Sequence, residues 1–128
     1  MADIFVIEDG VLHRCNDKTA TNVTIPDGVT KIGEGAFLYC TSLESVVIPD
    51  SVTQIGVGAF SACTSLSSVV IPNSVTKIGD EAFMECTSLS SVDFGGTVAQ
   101  WKAVRKGSDW HNGVPATSVK CVDGEAEC

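Results

Sequence analysis

Positive charge is scarce in this sequence. Its 128 residues hold 8 lysines and arginines against 16 aspartates and glutamates, a formal net charge of −8. A chain this acidic repels nucleic acid and anionic membranes, so neither is expected as a partner. The cations that do gather, Lys102, Arg105, Lys106 and Lys120, read as a solvated face beside an acidic tail. Long apolar runs are missing too. The opening MADIFVIEDG carries Asp3, lacks a basic leader region and loses its apolar character after Ile7, so it is not read as a signal peptide. No stretch is long enough to span a bilayer, and membrane insertion is not expected. The chain reads as cytoplasmic, or as a secreted or cell-surface protein whose leader has been removed. Cysteine pairs at the close spacing of a zinc site are absent. The glycines form no phosphate loop, and His13 and His111 are the only histidines. No metal or other cofactor is expected. Hydrophobic residues at 44% and charged residues at 19% point to one ordered domain rather than to disorder.

What is present is a repeat. With a period of 23, three full copies run Val23–Ser45, Val46–Ser68 and Val69–Ser91, and a fourth begins at Val92 and fades. Each reads V-x-I-P-x-x-V-T-x-I-G-x-x-A-F-x-x-C-T-S-L-x-S. A period of this length marks a stacked solenoid of the leucine-rich kind. Leu43-x-x-Val46-x-Ile48 and its equivalents end in the alternation of a strand, which Pro26, Pro49 and Pro72 stop because proline donates no ladder hydrogen bond. Val-Thr-x-Ile-Gly predicts a second short extended piece. The recurring Gly33, Gly56 and Gly79 imply a positive φ or a close backbone contact. Ala-Phe-x-x-Cys has the inward spacing of a helical or 3₁₀ turn, with Phe37, Phe60 and Phe83 stacked in the core. One copy cannot bury its own flanks, so neighbours and end caps are required.

The predicted architecture is therefore a repeat solenoid, leucine-rich-repeat-like, of mostly short β-strands with helical or 3₁₀ turns, capped at both ends. One domain over 1–128 divides into an N-terminal hairpin cap at 1–22, three repeats plus the start of a fourth at 23–94, and a C-terminal cap at 95–128. Asp9-Gly10 between apolar runs is the hairpin signal. At the other end Trp101 falls in the column of Ile78 and is expected to close the core, with Arg105 and Lys106 in the Ala-Phe slots. Thr97-x-x-Gln100 reads as a capping box opening a helix over Val98, Trp101 and Val104. SDWHNGVP reads as a loop and TSVKCV as a final strand.

These residues resemble the BspA-like leucine-rich repeat family, whose repeats read like IPDSVTQIGVGAFSACTSLSSV, closely from Val23 to about Phe94. IEDGVLHRC and GTVAQWKAV…VKCVDGE are similar to the end segments of such arrays. The resemblance implies a leucine-rich solenoid of the kind found in bacterial cell-surface proteins that bind host or matrix proteins and other cells.

Six cysteines are present. Cys40, Cys63 and Cys86 share one column, where parallel Cβ directions disfavour disulfides, so they are expected buried and unpaired as small hydrophobes. Cys121 is expected to point inward and Cys128 to be a mobile, exposed thiol. His13 lies two residues from Cys15, on one face of a strand, which raises a catalytic dyad as a possibility without a pocket or an orienting group. Two surfaces stand out for binding. Outward strand slots hold Ser45, Val47, Ser68 and Val70, taken as one face continuous across all the repeats. The variable turn holds Leu38, Tyr39, Val57 and Met84, apolar where the repeat does not demand it. The function expected is a non-catalytic protein-binding module whose partner is a protein. The alternatives are a self-associating building block and, last, a thiol- or metal-dependent enzyme.

Overall fold

Short apolar alternation cut by proline and glycine gives short strands, and the computed structural model of the protein has many of them. It describes residues 4–128; residues 1–3, Asp3 included, lie outside the described residues. The chain winds as a solenoid. One side carries β1 (Phe5–Glu8), β2 (Val11–Cys15), β4 (Lys31–Ile32), β6 (Gln54–Ile55), β8 (Lys77–Ile78) and β10 (Arg105–Lys106) in an unbroken six-stranded sheet. The other carries β3 (Asn22–Thr24) paired to β5 (Ser45–Val47). A separate four-stranded sheet on that side runs β12 (Gly124–Glu127), β11 (Ser118–Cys121), β9 (Ser91–Phe94), β7 (Ser68–Ile71). Coil-to-coil pairs are parallel and, between the repeats, keep the 23-residue register, as in Ile32↔Ile55↔Ile78 and Val69↔Val92.

The core is the set of inward columns. Phe37, Phe60 and Phe83 stack face to face at 4.9 and 5.1 Å with ring planes 4° and 6° apart. Phe5 closes one end of this stack edge-on at 6.4 Å and Trp110 the other at 6.2 Å. Gly79 is glycine because of close contact. A Cβ there would stand 2.6 Å from the Val57 nitrogen and 2.7 Å from the Gly56 carbonyl carbon of the coil below. The positive-φ alternative for this column is not realised.

Left-handed residues lie elsewhere, and they correct the turn expectation. Gly35, Gly58, Glu81 and Asp109 have φ of 63°, 62°, 58° and 56°, and Tyr39, Ala62, Glu85 and Gly113 have φ of 58°, 61°, 62° and 85°. Between them the N–H groups alternate. Ala36, Leu38 and Cys40 donate three residues back to Gly33, Gly35 and Phe37, whereas Gly35, Phe37 and Tyr39 donate sideways to Val57, Ala59 and Ser61. The Ala-Phe-x-x-Cys segments are thus linked turns rather than helical or 3₁₀ runs, because the left-handed residues break helical continuity and aim every second N–H at the neighbouring coil.

The N-terminal hairpin forms with Asp9 and Gly10 both at positive φ, 52° and 77°, the backbone of a tight two-residue turn. At the far end α1 (Val98–Ala103) starts at the expected capping box. Thr97 accepts from the Gln100 N–H, and the Gln100 side chain accepts from the Thr97 N–H. Trp101 is buried as expected but does not occupy the Ile78 column. Lys106 pairs with Ile78 and Arg105 with Lys77, 28 residues on rather than 23, because α1 inserts five residues into the last coil. Arg105 and Lys106 are accordingly in the strand columns and not in the Ala-Phe slots. The Lys106 ammonium donates to the Trp101 and Val104 carbonyls at 2.8 and 2.9 Å and lies 4.5 Å over the Trp101 ring, so it caps the helix instead of facing solvent. Burial pushes its pKa down. SDWHNGVP supplies the last turn, and β12, which the repeat did not announce, folds back on β11.

Trp101 is 1% exposed and packs at 5.2 Å on Phe94 and 5.6 Å on Trp110, with its indole N–H donated to the Glu127 carbonyl at 3.4 Å. Trp101→Ala is expected to cost about 3–5 kcal/mol in urea denaturation. A cost under ~1 kcal/mol would show that the end of the core is closed by Trp110 alone.

Candidate interaction surface

The cysteine column is the first place to look for chemistry, since thiolate reactivity depends on pKa. Cys40, Cys63 and Cys86 are buried and free, as are the thiols of Cys15, Cys121 and Cys128, though the last two are only half-buried. Cys128 therefore departs from its expected exposure. It packs against the core and its Sγ approaches the Ala116 carbonyl at 3.6 Å. Cys63 and Cys86 donate to the Phe37 and Phe60 carbonyls at 3.1 and 3.0 Å, one coil back. The neighbouring Cys86, then burial, pushes the Cys63 thiol up while Cys63 pushes Cys86 down, and burial pushes Cys40 up despite Lys18 nearby. Cys40 and Cys63 stay protonated, and the column fills space in the core.

His13 and Cys15 do not meet. In the β1–β2 pairing Val6 faces Arg14 and Ile7 faces Leu12, leaving His13 as the extra residue of a bulge. The bulge breaks the alternation, so Cys15 turns inward and His13 is exposed. His111, Glu127 and Cys128 line one open cavity of about 670 Å³ in the last coil. Burial pushes the His111 imidazole down and the Cys128 thiol up, so both are neutral near pH 7 and cannot act as a thiolate–imidazolium pair. Among the described residues no group of three His, Cys, Asp or Glu is placed to hold a metal ion. Among them, too, no helix is long and apolar enough to cross a membrane.

The outward strand slots hold Val47 at 57% and Val70 at 55% exposure, large apolar side chains left in water. Ser68 is exposed beside them, and Ser45 is half-buried with its hydroxyl donating to the Asn22 side-chain oxygen at 2.5 Å. This face is not continuous, contrary to expectation. The sheet parts between β5 and β7, where the Ser67 N–H reaches the Glu44 carbonyl at 3.3 Å across the gap. The unbroken sheet is on the opposite side. It presents the in-register row Lys31, Gln54, Lys77, Arg105, whose signal was the variable x of Val-Thr-x-Ile-Gly.

The variable turn forms a second surface. Tyr39 is 64% and Val57 42% exposed, while Leu38 and Met84 are half-buried. Leu38 and Val57 share an open cavity of about 540 Å³ with Glu34 and Glu81. Tyr39 and Met84 are outside its lining.

The family model described as the BspA type leucine rich repeat region matches residues 6–103 in 6 copies. Among solved structures, a leucine rich cell surface protein from Faecalibacterium prausnitzii is 47% identical over 58% of this chain and 19% of its own, with a TM-score of 0.56. A leucine-rich repeat protein from Bacteroides ovatus is 35% identical over 81% of this chain and 26% of its own, at 0.69. The T. pallidum leucine rich repeat protein is 25% identical over 85% of this chain and 62% of its own, at 0.64. The chain thus spans about a fifth to a quarter of the length of the first two. No curated protein matches it.

The raised thiols give a pH test. Each binds its proton more tightly folded than unfolded, so the stabilisation is complete below the ordinary thiol value of 9.0 and is lost as pH rises above it. The melting temperature is expected to fall as pH rises above 9.0, and to fall less in Cys63→Ala, which costs about 1 kcal/mol at neutral pH. Parallel pH profiles for the two proteins would contradict the assignment.

Proposed function

The chain belongs to the BspA type leucine rich repeat family, and from that premise we propose that it is a non-catalytic protein-binding module of the interaction or adhesion type. The observation that carries the reading is the pair Val47 and Val70, neighbours one repeat apart and each more than half exposed on the outer strand face. A surface that leaves two such side chains in water gains by covering them, and a protein partner supplies apolar area of matching shape. The cell-surface character of the Faecalibacterium prausnitzii relative is consistent with such a role. The protonated thiols and the separation of His13 from Cys15 support a non-catalytic reading.

The test is Val47→Lys with Val70→Lys. Both point outward, so folding is expected to survive, and affinity for the protein partner recovered by pull-down is expected to drop at least tenfold, about 1.4 kcal/mol. Leu38→Lys with Met84→Lys tests the turn side in parallel. Loss of binding in the turn pair alone would move the working face to the turn side. Sedimentation across a concentration series separates binding of a different protein from self-association, which would appear as a mass that grows with concentration.

A further inference from the structure

We infer that the groove on the turn side is a second docking site, built for a basic, aliphatic segment of a protein partner. It rests on the binding-module reading but not on the valine face. Its floor is Leu38 and Val57, apolar residues that the repeat does not require at those slots. Gly35 and Gly58, at left-handed φ of 63° and 62°, add no side chain to the lining between them. Glu34 and Glu81 stand on its rim, both exposed, one on the first repeat and one on the third. Among the described residues its lining carries two carboxylates and no cation.

Charge selects the occupant. An apolar floor between two carboxylates suits a lysine or arginine side chain, whose methylene stem lies on Leu38 and Val57 while its charged head stays in water between the glutamates. The net charge of −8 draws cationic segments toward the whole molecule. The nearest cations do not cancel this. Lys18 is held by the Leu38 carbonyl at 2.5 Å, and Lys77, Arg105 and Lys106 line a separate cavity that shares only Val57 with the groove and holds Asp80 as well. Glu81 occupies the left-handed slot that the two preceding coils fill with glycine and the next fills with Asp109, at φ 58° against 63°, 62° and 56°.

The probe is a capped hexapeptide alternating lysine and leucine, with its glutamate-for-lysine counterpart as control, titrated into isotope-labelled protein at low salt. The lysine peptide is expected to shift the amide signals of Gly35, Leu38 and Gly58, and the glutamate peptide to leave them in place. Glu34→Gln with Glu81→Gln is expected to weaken the lysine peptide about tenfold with no change in melting temperature. Glu81→Gly is expected to raise the melting temperature, because glycine accepts the left-handed backbone freely, while still weakening the peptide. Val47→Lys with Val70→Lys is expected to leave peptide binding intact, so failure of the valine face and failure of the groove are read separately. Equal shifts with both peptides, unchanged affinity in the glutamine pair or in Glu81→Gly, or loss of binding in the valine pair would each overturn the assignment.

Discussion

One constraint governs the molecule: each coil must lie over the last at the lateral offset of hydrogen-bonded strands, about 4.8 Å. The rings of Phe37, Phe60 and Phe83 record that offset at 4.9 and 5.1 Å, nearly coplanar in orientation. An offset shared by every column means that a residue suited to one level suits the next. Cysteine recurs because its thiol reaches the phenylalanine carbonyl one coil back, and glycine recurs because backbone crosses backbone there. A stack of parallel rings has no natural end. Phe5 and Trp110 provide one by turning 71° and 82° to it, setting a ring edge against a ring face, which is an electrostatically favoured contact and leaves no parallel face to extend.

The same offset explains why strained backbone is tolerated. A left-handed conformation costs a non-glycine residue roughly 1–2 kcal/mol. Yet Tyr39, Ala62, Glu81, Glu85 and Asp109 all adopt it, in two columns. What offsets the cost is that these residues release N–H groups for lateral bonds such as Phe37 to Ala59 and Phe60 to Ala82, both 2.7 Å, which tie the turns of successive coils as the strands are tied elsewhere. Backbone demands in the turn are therefore met by backbone, and the side chains there are left free. Tyr39, Ala62 and Glu85 share one slot and have nothing chemical in common.

The inward columns were legible in the sequence because a period of 23 repeats them three times, and repetition averages away local ambiguity. Val46, Ile48, Phe60 and Cys63 are all buried where the pattern places them. What was not legible breaks the period or lies in φ. The bulge at His13 inverts a face by a single residue. The insertion of α1 moves Lys106 into the column assigned to Trp101. Trp110 sits in a stretch that reads as loop, yet it is buried, because closing a ring stack requires a ring at the right height rather than a pattern. The candidate surfaces were legible as lists of outward residues but not as shapes. Leu38 and Val57 share a cavity that Tyr39 and Met84 do not join, and the sequence holds no trace of the parting between β5 and β7.

That parting bears on recognition. Val46 and Ile48, at 6% and 8% exposure, are the least enclosed residues of their columns, and they lie on the coil where the sheet opens. Val47 and Val70 stand on either side of the gap. A surface laid across both valines, as proposed above, would also finish the burial of Ile48. The sheet on the far side has no such parting, and its outward row sets Lys77 directly beside Arg105, a like-charge pair. The unbroken side thus holds the coils in register, and the interrupted side is the one on which the proposed valine face lies.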